Sequence, residues 1–120
     1  MSPIESGTSR WIAAITLAGC LTAVATLAFW PQPVTVPLTE DAQHILAFGI
    51  LTVLTRRVWQ RASWRRLVFW LFALGVGIEV LQWAFTPRHA EWRDVTADAT
   101  GIAIALLICQ ALAAWSPARR

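Results

Sequence analysis

Polar side chains that can carry charge, move protons or bind a ligand stand in or beside otherwise apolar stretches of this sequence: His44, Glu79, Gln82, Arg88, Asp94 and Asp98. An imidazole close to carboxylates can perform acid–base chemistry. The same groups, together with an amide and a guanidinium, can bind a polar ligand. Because ionisable residues in apolar segments are costly, they usually face other helices and often mark a functional site.

The spacing of these residues places them on shared helix faces. His44 lies three residues after Asp41 and four before Phe48, and Glu79 lies three residues before Gln82. Residues three or four apart are neighbours on one side of a helix. Each face begins close to a helix end, so at about 1.5 Å of rise per residue the polar groups share one shallow layer. We therefore expect them to form a single polar cluster.

Small residues accompany the cluster and favour close helix packing. Asp94, Asp98, Gly101 and Ala105 form one stripe, and Gly75 lies one turn before Glu79. Small residues at such spacing let neighbouring helices approach closely. We predict that Gly75, Gly101 and Ala105 pack helices together and that Arg88 is the counter-ion of the clustered carboxylates.

Structural roles compete with functional ones. His44 can be a hydrogen-bonded residue at a helix end, Asp94 a helix cap, and Gln82 and Asp98 interhelical hydrogen-bonding residues. One histidine with two helix-borne carboxylates, Glu79 and Asp98, is a weak zinc motif, so we predict no metal. Since no nucleophile motif or phosphate loop accompanies the cluster, we assign no catalytic residue and no cofactor.

The composition is that of an integral membrane protein. Of 120 residues, 57% are hydrophobic and 14% charged. A soluble domain of this size could not bury so much apolar surface. The chain has room for about four spans of about 20 residues. Cys20 and Cys109 both fall in apolar runs and are interpreted as packing residues.

The predicted fold is an all-α, integral membrane four-helix bundle in a single domain, with helices at about 11–30, 40–57, 67–85 and 95–115. Three prolines separate the first two helices, and Thr39 is the predicted cap of the second. The second apolar run is the shortest. A cleaved signal peptide is the alternative for the first, and a retained helix is preferred because that run is long for such a peptide.

Arginine and tryptophan positions predict the orientation. Arg10, the five arginines between Arg56 and Arg66, and the basic tail 116–120 fall on one side of the predicted bundle. Short cytoplasmic loops carry the excess of positive charge, so both termini are predicted to be cytoplasmic. Tryptophans near both sets of helix ends agree with interfacial anchoring. Arginines bunched between apolar runs favour a lipid surface over nucleic acid.

Two segments of the chain resemble the VanZ-like family. Residues 40–48, EDAQHILAF, are similar to that family's acid–Lys–x–x–His–x–x–x–Phe motif, with Asp41 where lysine is usual. A second signature is matched by these residues: Glu79, Gln82, Pro87, Arg88, Asp94, Ala97, Asp98 and Gly101. The resemblance covers about two-thirds of the chain. It implies a bacterial inner-membrane protein of the cell envelope, in a family linked to glycopeptide resistance.

These observations lead to three hypotheses. The first is recognition of a lipid headgroup or lipid-linked cell-wall component by the polar cluster near the extracytoplasmic face. The second is a structural protein in which the cluster clamps the helices and assembly occurs through a second copy or another membrane protein. The third is acid–base chemistry by His44 and Glu79 on a lipid-linked substrate, which no further motif supports. Whether His89 and Trp92 contact a ligand is left open.

Overall fold

Four α-helices make up the fold in a computed structural model that describes residues 3–31 and 34–115, with side chains from residue 7 onward. They are α1 (Pro3–Phe29), α2 (Glu40–Val58), α3 (Trp64–Phe85) and α4 (Trp92–Trp115). No strand occurs in these ranges, which confirms the predicted all-α bundle. The predicted basic tail 116–120, and Pro33 among the helix-breaking prolines, lie outside the described residues.

Local capping chemistry explains where the helices begin. Thr39 accepts a hydrogen bond from the backbone N–H of Ala42 at 3.2 Å, as expected of the predicted N-cap. Ser63 accepts one from Arg66 at 3.4 Å. This cap starts α3 at Trp64 rather than at the predicted Leu67.

Two other helices also begin earlier than the apolar runs indicated. Helix α1 starts at Pro3, whose fixed φ and missing N–H suit a first helical turn, so Arg10 lies inside the helix rather than before it. Helix α4 starts at Trp92 rather than at Val95. In both cases polar residues form the first turns, and a search for apolar stretches overlooks them.

Helices α2 and α4 form the most extensive contact of the bundle. A Cβ atom added at Gly101 of α4 would collide with the backbone carbonyl of Ile45 and lie 3.1 Å from the backbone nitrogen of Gly49. Glycine at position 101 therefore allows the two backbones to touch. Ala105 is buried one turn further along α4. The predicted packing residues thus lie inside the bundle, and Gly49 joins them.

Three helices are long and apolar enough to cross a membrane: the segment Gly7–Phe29 of α1, and all of α3 and α4. Helix α2 does not meet that criterion. Acidic residues in its first turn and arginines in its last shorten the apolar stretch between them. Three of the four expected spans therefore meet the criterion. The fourth, α2, does not, and it packs against α1 and α4.

Large apolar side chains cover the outer surface of the bundle. Ile15 is 71% exposed and Leu112 68% exposed, although both belong to apolar helices. The buried core between the helices is small: Leu17, Phe48, Leu51, Leu71 and Ile102. Exposed apolar side chains on long helices are stable in hydrocarbon rather than in water. The chain is a membrane protein.

The two ends of the bundle differ in character. We call the end at which α1 and α3 end and α2 and α4 begin the site end, because the predicted cluster lies in the helical turns next to it. The opposite end, formed by the loop 59–63, is the arginine end. There the Arg56 guanidinium stacks 4.5 Å from the ring of Trp64 and donates to the carbonyl of Ala62 at 2.7 Å.

Candidate functional site

His44 is the centre of the polar cluster and connects α2 with α4. Its Nδ1 lies 2.7 Å from Oδ1 of Asp98, and its Nε2 lies 3.8 Å from Oδ2 of Asp94. Asp94 and Asp98 are four residues apart, so the two carboxylates lie one above the other on α4 and both face the imidazole. The sequence predicted this convergence of α2 and α4.

Glycine on the third helix makes room for the buried carboxylate of Asp98. A Cβ atom at Gly75 would lie 2.7 Å from Oδ2 of Asp98, closer than carbon and oxygen normally approach. Asp98 is only 2% exposed. Gly75 therefore does more than bring helices together, because it leaves the space that the His44–Asp98 pair occupies.

Gln82 and Arg88 hold the end of α1. Gln82 Nε2 donates to the carbonyl of Ala28 at 2.8 Å. The Arg88 guanidinium lies 3.4 Å and 3.5 Å from the carbonyl oxygens of Leu27 and Ala28. The last carbonyls of a helix have no partner in the helix and carry partial negative charge, so an amide and a cation stabilise them.

The predicted role of Arg88 as counter-ion of the carboxylates was therefore wrong. Within the described ranges, Asp94 and Asp98 contact the imidazole of His44, and Asp41 forms an ion pair with Arg93. Arg88 instead lies against the C-terminal carbonyls of α1, which sequence spacing on α2 to α4 could not reveal.

Glu79 lies apart from the hydrogen-bonded centre. Its Oε2 accepts a 3.4 Å hydrogen bond from the backbone N–H of Glu91, and Oε1 is buried without a hydrogen-bond partner. The residue is 4% exposed and lines a second, more apolar cavity beside Trp83 and Trp92. The structure thus places Glu79 near the cluster but gives it no direct hydrogen bond to His44.

An ion pair at the rim of the site end was missed by the sequence analysis. Arg93 donates to Oδ2 of Asp41 from Nε at 3.0 Å and from its terminal nitrogen at 2.7 Å. Asp41 was expected on the same helix face as His44, but Arg93 was not expected as its partner. Because α2 and α4 start side by side, opposite charges in their first turns could have predicted this ion pair.

A cavity of about 220 Å³ opens between the helices at the site end. Its polar lining residues include Glu40, His44, Gln82, Arg88, Asp94 and Asp98. Its apolar lining residues include Val24, Leu27, Val34, Val36, Phe48 and Ile78. All of the predicted cluster except Glu79 therefore borders one cavity, which Glu40, Gln43 and His89 also line and whose other lining residues are apolar.

Three of the lining residues have donor atoms close enough to share a cation. One ligand atom from each of Glu40, His44 and Asp94 lies within 4.8 Å of the others. The set differs from the weak motif considered from sequence, because Glu40 and Asp94 replace Glu79 and Asp98. Asp98 instead lies behind the imidazole.

A family model described as VanZ/LLP1 matches residues 6–113. The chain belongs to the VanZ/LLP1 family. The VanZ-like resemblance of the two segments is thereby confirmed across nearly the whole chain. No curated protein and no solved structure gives a significant match. In this VanZ/LLP1 protein, Asp41, which occupies the position of the lysine in the first motif, pairs with Arg93.

Proposed function

We propose that this VanZ/LLP1 membrane protein binds the polar headgroup of a lipid or of a lipid-linked cell-wall component, at the extracytoplasmic face of the bacterial inner membrane. The observation that carries the proposal is the cavity at the site end. It combines a floor of charged and amide side chains with an apolar wall. An amphipathic molecule needs both, because its headgroup requires hydrogen bonds while its chain requires apolar contact.

The chemistry of the floor supports a headgroup with both acceptor and donor groups. Arg88 is half-buried and contacts the α1 carbonyls through one terminal nitrogen, so its other N–H groups can still bind phosphate or carboxylate oxygens. Glu40 and Asp94 offer oxygens that accept hydrogen bonds from hydroxyl or amino groups. Phosphate-bearing lipids with sugar or amine substituents present this combination.

The orientation of the cavity follows from the positive-inside rule. Arg56, Arg57, Arg61, Arg65 and Arg66 belong to the arginine end. Cytoplasmic loops concentrate such residues, so the site end is assigned to the extracytoplasmic side and both termini to the cytoplasm. A headgroup of the outer leaflet would then meet the cavity directly.

Lipid analysis of the purified chain tests the proposal. Wild-type protein, Arg88→Ala and Arg93→Ala are purified in mild detergent, and the bound lipids are identified by native mass spectrometry. Arg93→Ala is the matched control, because Arg93 belongs to the same outer region but does not line the cavity. We expect one lipid class to accompany the wild type and Arg93→Ala and to be lost from Arg88→Ala.

Complementation of a null strain gives the corresponding test in cells. Arg88→Ala protein of normal abundance should fail to restore resistance to envelope stress, while Arg93→Ala should restore it. Full complementation by Arg88→Ala, together with an unchanged lipid spectrum, would overturn the proposal.

A structural role is the second candidate, supported by the contact between His44 and Asp98 across the closest helix pair. As a clamp, the cluster would hold α2 to α4 and leave function to assembly with a second copy or another membrane protein. Substitutions at His44 would then lower abundance and activity together. Activity lost at normal abundance favours the binding site.

A further inference from the structure

We propose that Glu40, His44 and Asp94 bind a divalent transition-metal cation of the zinc class at the mouth of the cavity. These residues lie on the first turns of α2 and α4, which meet at the site end. The metal site does not depend on the lipid site, except that a headgroup oxygen is its proposed fourth ligand.

The spacing of the donor atoms is close to that of a metal site. Nε2 of His44 lies 3.8 Å from Oδ2 of Asp94, and the three candidate ligand atoms lie within 4.8 Å of one another. Two ligands on a tetrahedral zinc ion, each at about 2.1 Å from it, are about 3.4 Å apart. Glu40 is exposed at the start of α2, so rotation of its side chain can close the remaining gap.

Asp98 prepares the imidazole for metal binding. An ionised carboxylate can only accept hydrogen bonds, so Oδ1 of Asp98 at 2.7 Å favours a proton on Nδ1 of His44, and in that tautomer the lone pair of Nε2 points toward Asp94. Metal-binding histidines usually donate their other ring nitrogen to a carboxylate or carbonyl, which fixes the tautomer and the ring orientation. Asp98 is 2% exposed, so this arrangement is protected from water.

The carboxylate of Asp94 supplies the independent observation. Its side chain is only 9% exposed and faces Nε2 of His44 at 3.8 Å, beyond hydrogen-bond distance. In the described part of the chain it accepts no hydrogen bond. Asp94 borders the cavity, so a cation bound there would contact this largely buried carboxylate and offset the cost of its burial.

The cationic side chains nearby are engaged elsewhere. Arg93 is held by Asp41, and Arg88 lies against the last carbonyls of α1. In the described part of the chain, His44 is therefore the basic side chain that contacts Asp94, and with Nε2 unprotonated a cation from solution can bind between the two residues. Three protein ligands leave a fourth position open. That position faces the cavity, and on the proposed lipid-binding function a headgroup oxygen would occupy it.

Zinc titration of the purified chain tests the inference. Full-length protein carrying an affinity tag without histidine is stripped with a chelator and titrated with zinc by calorimetry. Cobalt is then used as a spectroscopic substitute, since its absorption reports nitrogen and oxygen coordination. We expect one ion per chain. Asp98→Asn should weaken binding about 10–100-fold, the usual effect of losing the partner of a metal-binding histidine.

Neighbouring acids of α2 provide a matched pair. Glu40→Gln removes a ligand and should weaken zinc at least about 10-fold. Asp41→Asn removes the same charge one residue along the helix and should leave affinity within about 2-fold, because Asp41 faces Arg93. Since Glu40 is exposed, Glu40→Gln keeps the test valid even where His44→Ala fails to fold.

The outcomes separate this inference from the lipid proposal. Absence of saturable zinc and cobalt binding to the wild type would overturn it, as would equal weakening by Glu40→Gln and Asp41→Asn. Saturable binding sensitive to Glu40 and Asp98, in detergent without lipid, supports it whether or not a lipid is later found in the cavity.

Discussion

Nδ1 of His44 lies 2.7 Å from Oδ1 of Asp98, and this contact links α2 to α4 below the site end. The partners are 54 residues apart in the chain, and Asp98 is almost fully buried. This short contact both fixes the imidazole and ties the two helices together.

The first prediction concerns the strength of that link. A double-mutant cycle with His44→Ala and Asp98→Ala should give a coupling free energy of about 0.6 kcal/mol and at most about 1.7 kcal/mol, as for other hydrogen bonds within membrane bundles. Unfolding of the detergent-solubilised protein, followed by circular dichroism, measures it. Additive effects of the two substitutions would show that the contact contributes nothing to stability.

A pair of glycines on α3 tests the space around Asp98. Gly75→Ala places a Cβ 2.7 Å from Oδ2 of Asp98, whereas Gly77→Ala meets nothing within 4 Å. We expect Gly75→Ala to destabilise the protein by about 1–3 kcal/mol through overpacking. Gly77→Ala should be neutral or stabilising, because alanine favours helix by up to about 1 kcal/mol. The measurement is the melting temperature of each variant. Equal melting temperatures would contradict the close packing of Gly75 against Asp98.

Glu79→Gln should leave stability unchanged or increase it. Arg88 does not pair with Glu79, so no cation loses its partner when the carboxylate is replaced. Oε1 is buried without a hydrogen bond, and the amide occupies the same position without a negative charge near Asp94. Thermal unfolding is the measurement. A large fall in melting temperature would reveal an essential partner of the carboxylate.

Gln82→Met should loosen the end of α1. It keeps the side-chain length but removes the 2.8 Å hydrogen bond to the carbonyl of Ala28. The expected loss is about 0.5–1.5 kcal/mol, the usual net contribution of one hydrogen bond. Hydrogen exchange at the C-terminal turn of α1 should rise, while exchange in α4 stays constant. Uniform change across the helices would indicate global destabilisation instead.

The proposed orientation is tested with single cysteines. In a background lacking Cys20 and Cys109, His89→Cys marks the turn between α3 and α4, and Gln60→Cys marks the loop between α2 and α3. Both positions are exposed. A membrane-impermeant maleimide added to intact cells, after permeabilisation of any outer membrane, should label position 89 and not position 60. The reverse pattern would overturn the positive-inside assignment.

The sequence by itself determined the class of structure. Long apolar runs require a membrane or a large core, and 120 residues do not provide the core. Spacing of three and four residues placed Asp94 and Asp98 on one face of α4, because helical geometry alone decides which residues share a side. The family signature pointed to the same residues.

The tertiary structure decided which groups meet. Arg88 was expected beside the carboxylates, yet it lies against Leu27 and Ala28, because the free carbonyls of α1 end next to the turn that carries it. Glu79 shares the predicted layer but faces another cavity. Periodicity gives the face of a helix but not its rotation against its neighbours.

The tertiary structure also decided which acid of α2 belongs to the candidate metal site. Asp41 and Glu40 are adjacent acids that the sequence does not distinguish. In the folded chain one faces Arg93 and the other approaches His44 and Asp94. Successive residues on a helix point about 100° apart, so only the packing of α2 against α4 assigns them different partners.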